Sequence, residues 1–460
     1  MEFLGDAVFL SRLQLAYTLA FHILFPTLTI GLSVFLVWLH WRYLRTHDHA
    51  YMQLFRFWLK PFALGFGVGV VSGIVLSFEF GTNFAGFSRT TGNVLAPLLS
   101  YEVLMAFFLE ASFLPILLFG WGRVGPRVHF LATVMVALGT VLSAFWILAA
   151  NSWMQTPAGY LLRDGLFHPA DWWAAIFNPS FPYRFLHMVT ASLVTGCFVV
   201  AGISAWYLLR GRHPLLSRKA LSIALWSGLA VVPLQVLLGD LHGLNTLQHQ
   251  PMKVAAMEGL WRTTEGAPFL LFALPDQAAE KNRYEIAIPQ AGSLILRHEW
   301  GGRVAGLEEV APEDRPPVAV VFWAFRVMLY IGLLLLAVVL LGALLRRGDR
   351  IYHRGFLRLL VFCTPLGFVA VIAGWVVTEV GRQPWVVQGL LRTAVTATPL
   401  PAASVASSAA LFLVVYLFLL GAFLYYFLRL VRRGPEEQVP AERVAGAPLT
   451  AWYPPSAERE

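Results

Sequence analysis

Five side chains able to bind a metal stand inside long apolar stretches of this 460-residue chain: His22, Glu102, His187, Met328 and Glu379. Ionisable groups are costly in such surroundings and mark function by default. A single buried His is ordinarily hydrogen-bonded to a neighbouring helix, and a single Met is ordinary packing. Neither His22 nor Met328 therefore means much alone. Glu379 says more, because beside Trp375 and close to Arg382 its carboxylate must be paired, protonated or ligating. Imidazole, thioether and carboxylate together make a ligand set for haem iron, and a His/Met pair is the kind that favours electron transfer.

A second pattern suits proton movement. Glu102 and Glu110 are eight residues apart, about 12 Å along a helix and about 80° beyond two full turns. Both can border one groove, and two buried carboxylates staggered in depth can relay a proton. Ser143 on the next apolar run offers a hydroxyl step. The alternative is that each carboxylate only closes a local hydrogen-bond network.

Long helices must position these groups. The chain is 58% apolar and 13% charged, against roughly 25% charged in an ordinary soluble domain. So few polar groups cannot clothe a soluble globule of this size, and the composition describes an all-α integral membrane protein. Nine runs are long enough to cross a bilayer: 15–41, 56–81, 94–121, 128–152, 184–208, 219–241, 319–345, 358–379 and 405–431. The first is too long for a cleavable signal peptide, and no small-x-small cleavage site follows it. Cys197 and Cys363 both lie in apolar runs, so no exposed disulfide framework, haem-attachment or zinc motif is present.

The net charge of +8 is topological and points to no nucleic-acid partner. One set of connections, including Arg42, Arg123, Arg210, Arg346 and Arg432, holds 18 basic residues. The opposite set, with the long loop left out, holds only Arg12, Arg89, Arg163, Arg184, Arg382 and Arg392. The positive-inside rule then puts the N-terminus outside and the C-terminus in the cytoplasm. Residues 1–242 form spans one to six, 243–318 a polar external loop of mixed structure, and 319–432 spans seven to nine. The tail 433–460 is rich in Pro, Glu and Ala, a composition that predicts disorder. With this topology the five candidate ligands fall in the outer halves of their spans, which points to a cofactor cluster near the outer face.

The sequence around these residues resembles subunit I of the cytochrome bd-type quinol oxidases. Ser11-Arg12-Leu13-Gln14, His22 and Pro26-Thr27-Leu28 carry the likeness at the start. Phe80-Gly81-Thr82-Asn83, Met105 to Glu110, and Ala150 to Gln155 continue it. Gln250-Pro251-Met252-Lys253, Ala256-Met257-Glu258-Gly259, Phe325 to Met328 and Gly381 to Trp385 complete it in order. The tail lies outside the resemblance.

This resemblance implies a quinol:oxygen oxidoreductase of the respiratory chain in the bacterial cytoplasmic (inner) membrane. It implies three haems: a low-spin haem b, a high-spin haem b and haem d. His187 and Met328 match the axial ligands of the low-spin haem, with Arg326 beside it. His22 and Glu379 match the ligands of the other two, and which residue takes which haem stays open. Trp375 and Arg382 match residues packed around the cluster. Glu102 matches a carboxylate next to the haem pair, and Glu110 with Ser143 a proton path from the cytoplasm. Lys253 and Glu258 match quinol-site residues of the external loop, the Q loop, here of the short kind found in a branch with cyanide-insensitive members. The partners implied are quinol, oxygen, membrane lipid, a subunit II of homologous fold and a small single-span subunit. The resemblance also implies charge separation without a pump.

Other classes compete. A member with haem b in both high-spin sites would carry the same ligands. A secondary transporter would want Gly- or Pro-broken helices in paired repeats near the midplane, an arrangement these signals do not follow. A scaffold subunit would have no reason to set His, Met and Glu at one depth.

Overall fold

The computed structural model describes residues 6–436, so the tail expected to be disordered lies outside the described residues from position 437 onward. Among the described residues, nine helices are long and apolar enough to cross a membrane by length and composition. They are α1 (Ala7–Thr46), α2 (His49–Thr82), α3 (Ala85–Phe119), α4 (Pro126–Gln155), α5 (Phe181–Leu209), α6 (Pro214–His249), α8 (Val318–Leu345), α9 (Arg354–Val380) and α10 (Ala402–Arg433). A short helix, α7 (Pro251–Glu258), lies between α6 and α8.

The helices outrun the apolar runs that announce them. Hydropathy ends at the hydrocarbon boundary, whereas the backbone ladder continues until a cap stops it. Between α1 and α2 the stop is local. His47 takes a left-handed conformation and the Asp48 side chain accepts from the Ala50 N–H at 2.9 Å. Pro126, Pro214 and Pro251 stand in the first turn of their helices, where a missing N–H costs nothing.

Two spans are irregular. Residues Glu102–Phe107 of α3 form a π turn, and α9 breaks at Thr364 and Pro365, between Arg354–Cys363 and Leu366–Val380. Helix α5 is the most enclosed span and α10 the least. Where α1 crosses α5 the backbones touch: a Cβ on Gly31 would fall 2.4 Å from the Ser192 carbonyl oxygen and 2.9 Å from Gly196 Cα. Only glycine permits that approach.

One end of the bundle carries most of the connecting structure. The hairpin β1 (Tyr160–Arg163) and β2 (Leu166–Pro169) turns at Asp164-Gly165, both with positive φ, as a tight two-residue turn requires. In the long loop, β3 (Phe269–Asp276) pairs antiparallel with β4 (Lys281–Ile288). Leu270 and Ala273 of β3 are buried with Phe322 of α8, which fastens the loop to the bundle. Helix α6 runs on to His249, so the loop proper starts at Gln250.

Candidate functional site

At the loop end of the bundle, α4, α5, α7 and the end of α9 bring polar groups into one hub. Glu379 accepts a hydrogen bond from Asn151 Nδ2 at 2.8 Å and forms an ion pair with Arg382. Lys253 Nζ donates to Gln155 Oε1 at 2.6 Å, to Gln250 Oε1 at 2.8 Å and to the Thr378 carbonyl at 3.2 Å. Arg184 reaches Gln250 Oε1 from α5 at 3.5 Å. Three cations therefore share the hub with one carboxylate. Burial, then the charges of Arg184 and Arg382, hold the Lys253 ammonium well below its usual range, with Glu379 opposing.

The other candidate ligands sit on neighbouring helices. Both ring nitrogens of His187 lie near Gln235 Nε2 of α6, at 3.3 and 3.2 Å, and the His242 ring is 5.4 Å away centre to centre. His22 Nδ1 is 2.9 Å from Ser72 Oγ of α2. Trp375 packs with Leu148, Ala149 and Phe181.

A bare metal ion needs three or more side-chain donors. Among the described residues no three His, Cys, Asp or Glu converge in that way. The donors come singly, which suits a macrocycle that brings its own nitrogens. Three glycines clear space at these donors. A Cβ on Gly73 would lie 3.1 Å from His22 Cε1, one on Gly239 3.3 Å from His187 Cε1, and one on Gly374 3.0 Å from Met328 Sδ. The hub also has unspent donors: Arg184 Nε and Arg382 Nε and Nη1 are buried without hydrogen-bond partners. Buried guanidinium donors call for an anion, and haem propionates are anions. The residues present fit haem.

The two glutamates of α3 are aligned by the π turn between them. Eight residues of regular helix would set them about 80° apart. A π turn absorbs one extra residue, so they stand as if seven apart, about 20° short of two full turns. Both meet α4. Glu102 Oε1 accepts from Ser143 Oγ at 2.8 Å. Glu110 is buried against Gly139, whose Cβ, were there one, would lie 2.5 Å from Glu110 Cγ. Gly139 and Ser143 are one turn apart on α4.

Two of the candidate site residues have partners that the sequence alone does not show. Arg326, two residues before Met328 on α8, directs its guanidinium to the loop. Its Nε donates to the Leu270 carbonyl at 2.9 Å, Nη1 to the Met257 carbonyl, and Nη2 to Glu258 Oε2 at 2.7 Å. Lys253 and Glu258 face different partners. Five residues apart on α7, they project about 140° from each other, Lys253 into the hub and Glu258 to Arg326. Burial lifts the Glu258 carboxyl above its usual range, against the pull of Arg326.

Sequence reasoning missed Arg184, Asn151, Gln155, Gln235 and Gln250 as members of the site. Asn151, Gln155 and Gln250 lie within the motifs that carry the resemblance, so a signal was present. Arg184 entered only as a topological charge, and Gln235 has no signal beyond being polar in an apolar run.

Comparison with known proteins agrees with this geometry. A family model described as cytochrome bd terminal oxidase subunit I matches residues 10–435. The cytochrome bd ubiquinol oxidase subunit 1 of Bacillus subtilis (strain 168) is 35% identical over 439 residues, covering 93% of this chain and 94% of that protein. The cytochrome bd-II ubiquinol oxidase subunit 1 of Escherichia coli (strain K12) is 34% identical over 499 residues, covering 94% of this chain and 97% of that one. A solved structure of the bd oxidase from Geobacillus thermodenitrificans superposes with a TM-score of 0.88 at 33% identity, over 94% of this chain and 99% of that one.

Proposed function

The chain belongs to the cytochrome bd terminal oxidase subunit I family, and from that membership we propose that it oxidises quinol and reduces oxygen to water. It is a multi-pass protein of the bacterial cytoplasmic membrane. His187 and Met328 would hold a low-spin haem b, and His22 and Glu379 a high-spin haem b and haem d, one each. These groups, when bound, supply the iron that carries electrons and reduces oxygen. Arg184 and Arg382 would neutralise the propionates. Their unpartnered buried donors are the observation that carries the reading.

The chain's own residues would manage the protons. Glu258 takes the hydroxyl proton of quinol at the external loop, and Arg326 holds it in place and stabilises its charged form. Lys253, an ammonium with a depressed pKa in a crowd of cations, would anchor the quinol oxygen or an adjacent propionate through its donors. Glu110 and Glu102, aligned along α4 with Ser143 at the second, pass protons from the cytoplasmic side toward the site of water formation. With the N-terminus outside, quinol protons leave on one face and water protons enter from the other. Charge then separates without a pump.

A chain related to proteins named subunit 1 implies a subunit II. The apolar faces that α3 and α10 leave uncovered, with Leu104, Phe108, Leu411 and Phe418 exposed, support helical partners or lipid there. The test is a pyridine haemochrome analysis with quinol-driven oxygen consumption on the purified complex. Three haems per complex and oxygen uptake are expected. A folded complex with no haem, or with no quinol-driven uptake, overturns the reading.

A further inference from the structure

Glu79 has no place in the mechanism above, yet it is a carboxylate only 2% exposed near the loop end of α2. It closes a polar seam between α1 and α2. Gln14, Thr18 and His22 follow one another at intervals of four on α1, so they share one face. Ser72 and Glu79 answer them from α2, and Asn83 from its C-cap. Asn83 Nδ2 donates to Gln14 Oε1 at 3.3 Å, Gln14 Nε2 to Glu79 Oε1 at 2.9 Å, and Thr18 Oγ1 to Glu79 Oε2 at 2.7 Å. Ser72 meets His22. Arg12, two residues before Gln14 and so on another face of α1, is exposed and donates to Gln383 Oε1 at 3.0 Å. Elsewhere the α1–α2 contact is apolar, through Leu28, Leu32, Phe55 and Phe62.

Counting hydroxyl protons shows what the seam can do. Thr18 has one proton and acceptors in two directions: the Gln14 carbonyl of its own helix at 3.0 Å and Glu79 Oε2 at 2.7 Å. When Thr18 donates to Glu79, the carboxyl can stand ionised, with both oxygens accepting. When Thr18 donates to its helix, the short contact persists only if Glu79 is the donor, and Glu79 then carries a proton. Both states keep every bond in the seam satisfied. The titratable groups facing Glu79 are Tyr17 of α1 and Tyr416 of α10. Among the described residues no basic side chain pairs with it. A membrane-buried carboxylate without a cation gains most from taking up a proton when negative charge arrives nearby.

We propose that Glu79 is a proton-loading site, taking one proton from the loop-end aqueous phase through the Gln14–Asn83 end of the seam when the centre held by His22 is reduced, and returning it on reoxidation. The step balances as one electron into that centre and one proton onto a Glu79 carboxylate oxygen, its C–O⁻ becoming C–OH. Quinol supplies the electron and external water the proton. The proposal rests on His22 holding a haem. It is independent of the Glu110 path, which enters from the opposite end.

The test is the electrochemical reduced-minus-oxidised infrared spectrum of the purified complex, with haem content and the optical difference spectrum taken on the same samples. The parent complex is expected to show a protonated-carboxyl C=O band on reduction. Glu79→Gln should remove it with haem content unchanged, and Thr18→Val, which deletes the exchanging hydroxyl at constant shape, should shift it. A Glu79→Gln spectrum identical to the parent's overturns the proposal. If Glu79→Gln does not assemble, a band unmoved by Thr18→Val overturns it equally. His22→Ala with all haems retained would sink the underlying ligand reading instead, a result separable from either outcome at Glu79.

Discussion

Glu258 and Arg326 form an ion pair of 2.7 Å in which neither side chain is more than 5% exposed. The pair joins the last residue of α7 to the loop-end third of a membrane-spanning helix, 68 positions on in sequence. With the Met257 and Leu270 carbonyls also bound to the guanidinium, all three nitrogens of Arg326 serve the long loop. Breaking a buried pair from one side typically costs about 3–5 kcal/mol, because the remaining charge loses its compensation. Substitutions here must therefore be chosen to separate chemistry from folding.

Glu258→Gln keeps a hydrogen-bond acceptor for Arg326 and removes the base. Quinol oxidation should fall by about 100-fold or more, while oxidation of an artificial one-electron donor stays near normal. The pH profile adds a signature. Because burial raises the Glu258 carboxyl, the base form is lost on acidification at a higher pH than an ordinary carboxylate would show. The parent rate should decline there, and the residual Glu258→Gln rate should be flat across the same range. Equal loss with both donors would mean a damaged loop.

Met328→Leu removes a thioether at nearly constant volume, a swap that usually costs less than about 1.5 kcal/mol of packing. If Met328 is an axial ligand, the low-spin optical band should be lost or converted to high-spin and the midpoint potential should fall. An unchanged band and midpoint would make Met328 core filling against Gly374.

Glu110→Gln preserves shape but cannot carry a proton. Full haem content, near-normal reduction of the haems by quinol and slow turnover with oxygen are expected. Haem-to-protein ratio and steady-state oxygen consumption on one sample check this. Loss of a haem would make Glu110 structural or ligating, and normal turnover would route protons elsewhere.

Gly139→Ala tests the same path without touching a titratable group. A Cβ at 2.5 Å from Glu110 Cγ cannot be accommodated without movement, so Glu110 must leave its seat on α4. Turnover should drop as in Glu110→Gln, although alanine is the better helix former by about 1 kcal/mol. Full activity would show that the Glu110 position tolerates displacement.

The nine spans were legible because hydropathy over some 20 residues is a strong signal set by the bilayer. The site was legible in part. His22, His187, Met328 and Glu379 stand out as polar or soft groups in apolar runs. The alignment of Glu102 with Glu110 was not, since regular helical rotation was assumed and nothing in Glu102–Phe107 announces a π turn. The partners of Arg326 were illegible for a related reason. Local sequence shows a cation in an apolar helix, but its partners come from Met257, Glu258 and Leu270, more than 50 positions away. Such non-local pairing is decided by the fold.

The eight residues of α7 have a mechanical consequence. Lys253 is tied to Gln155 of α4 and to the Thr378 carbonyl of α9, next to Glu379, and Glu258 is tied to α8 through Arg326. A short rod pinned on opposite faces behaves as a lever. Rotation about its axis that loosens one pin strains the other, so the two ends cannot relax separately. Occupancy at the Glu258 end should then be felt beside Glu379 without any shared ligand. In a double-mutant cycle, Lys253 and Glu258 should show a coupling energy beyond the roughly 0.3–0.5 kcal/mol scatter of independent sites, and strict additivity would mean that α7 bends between them.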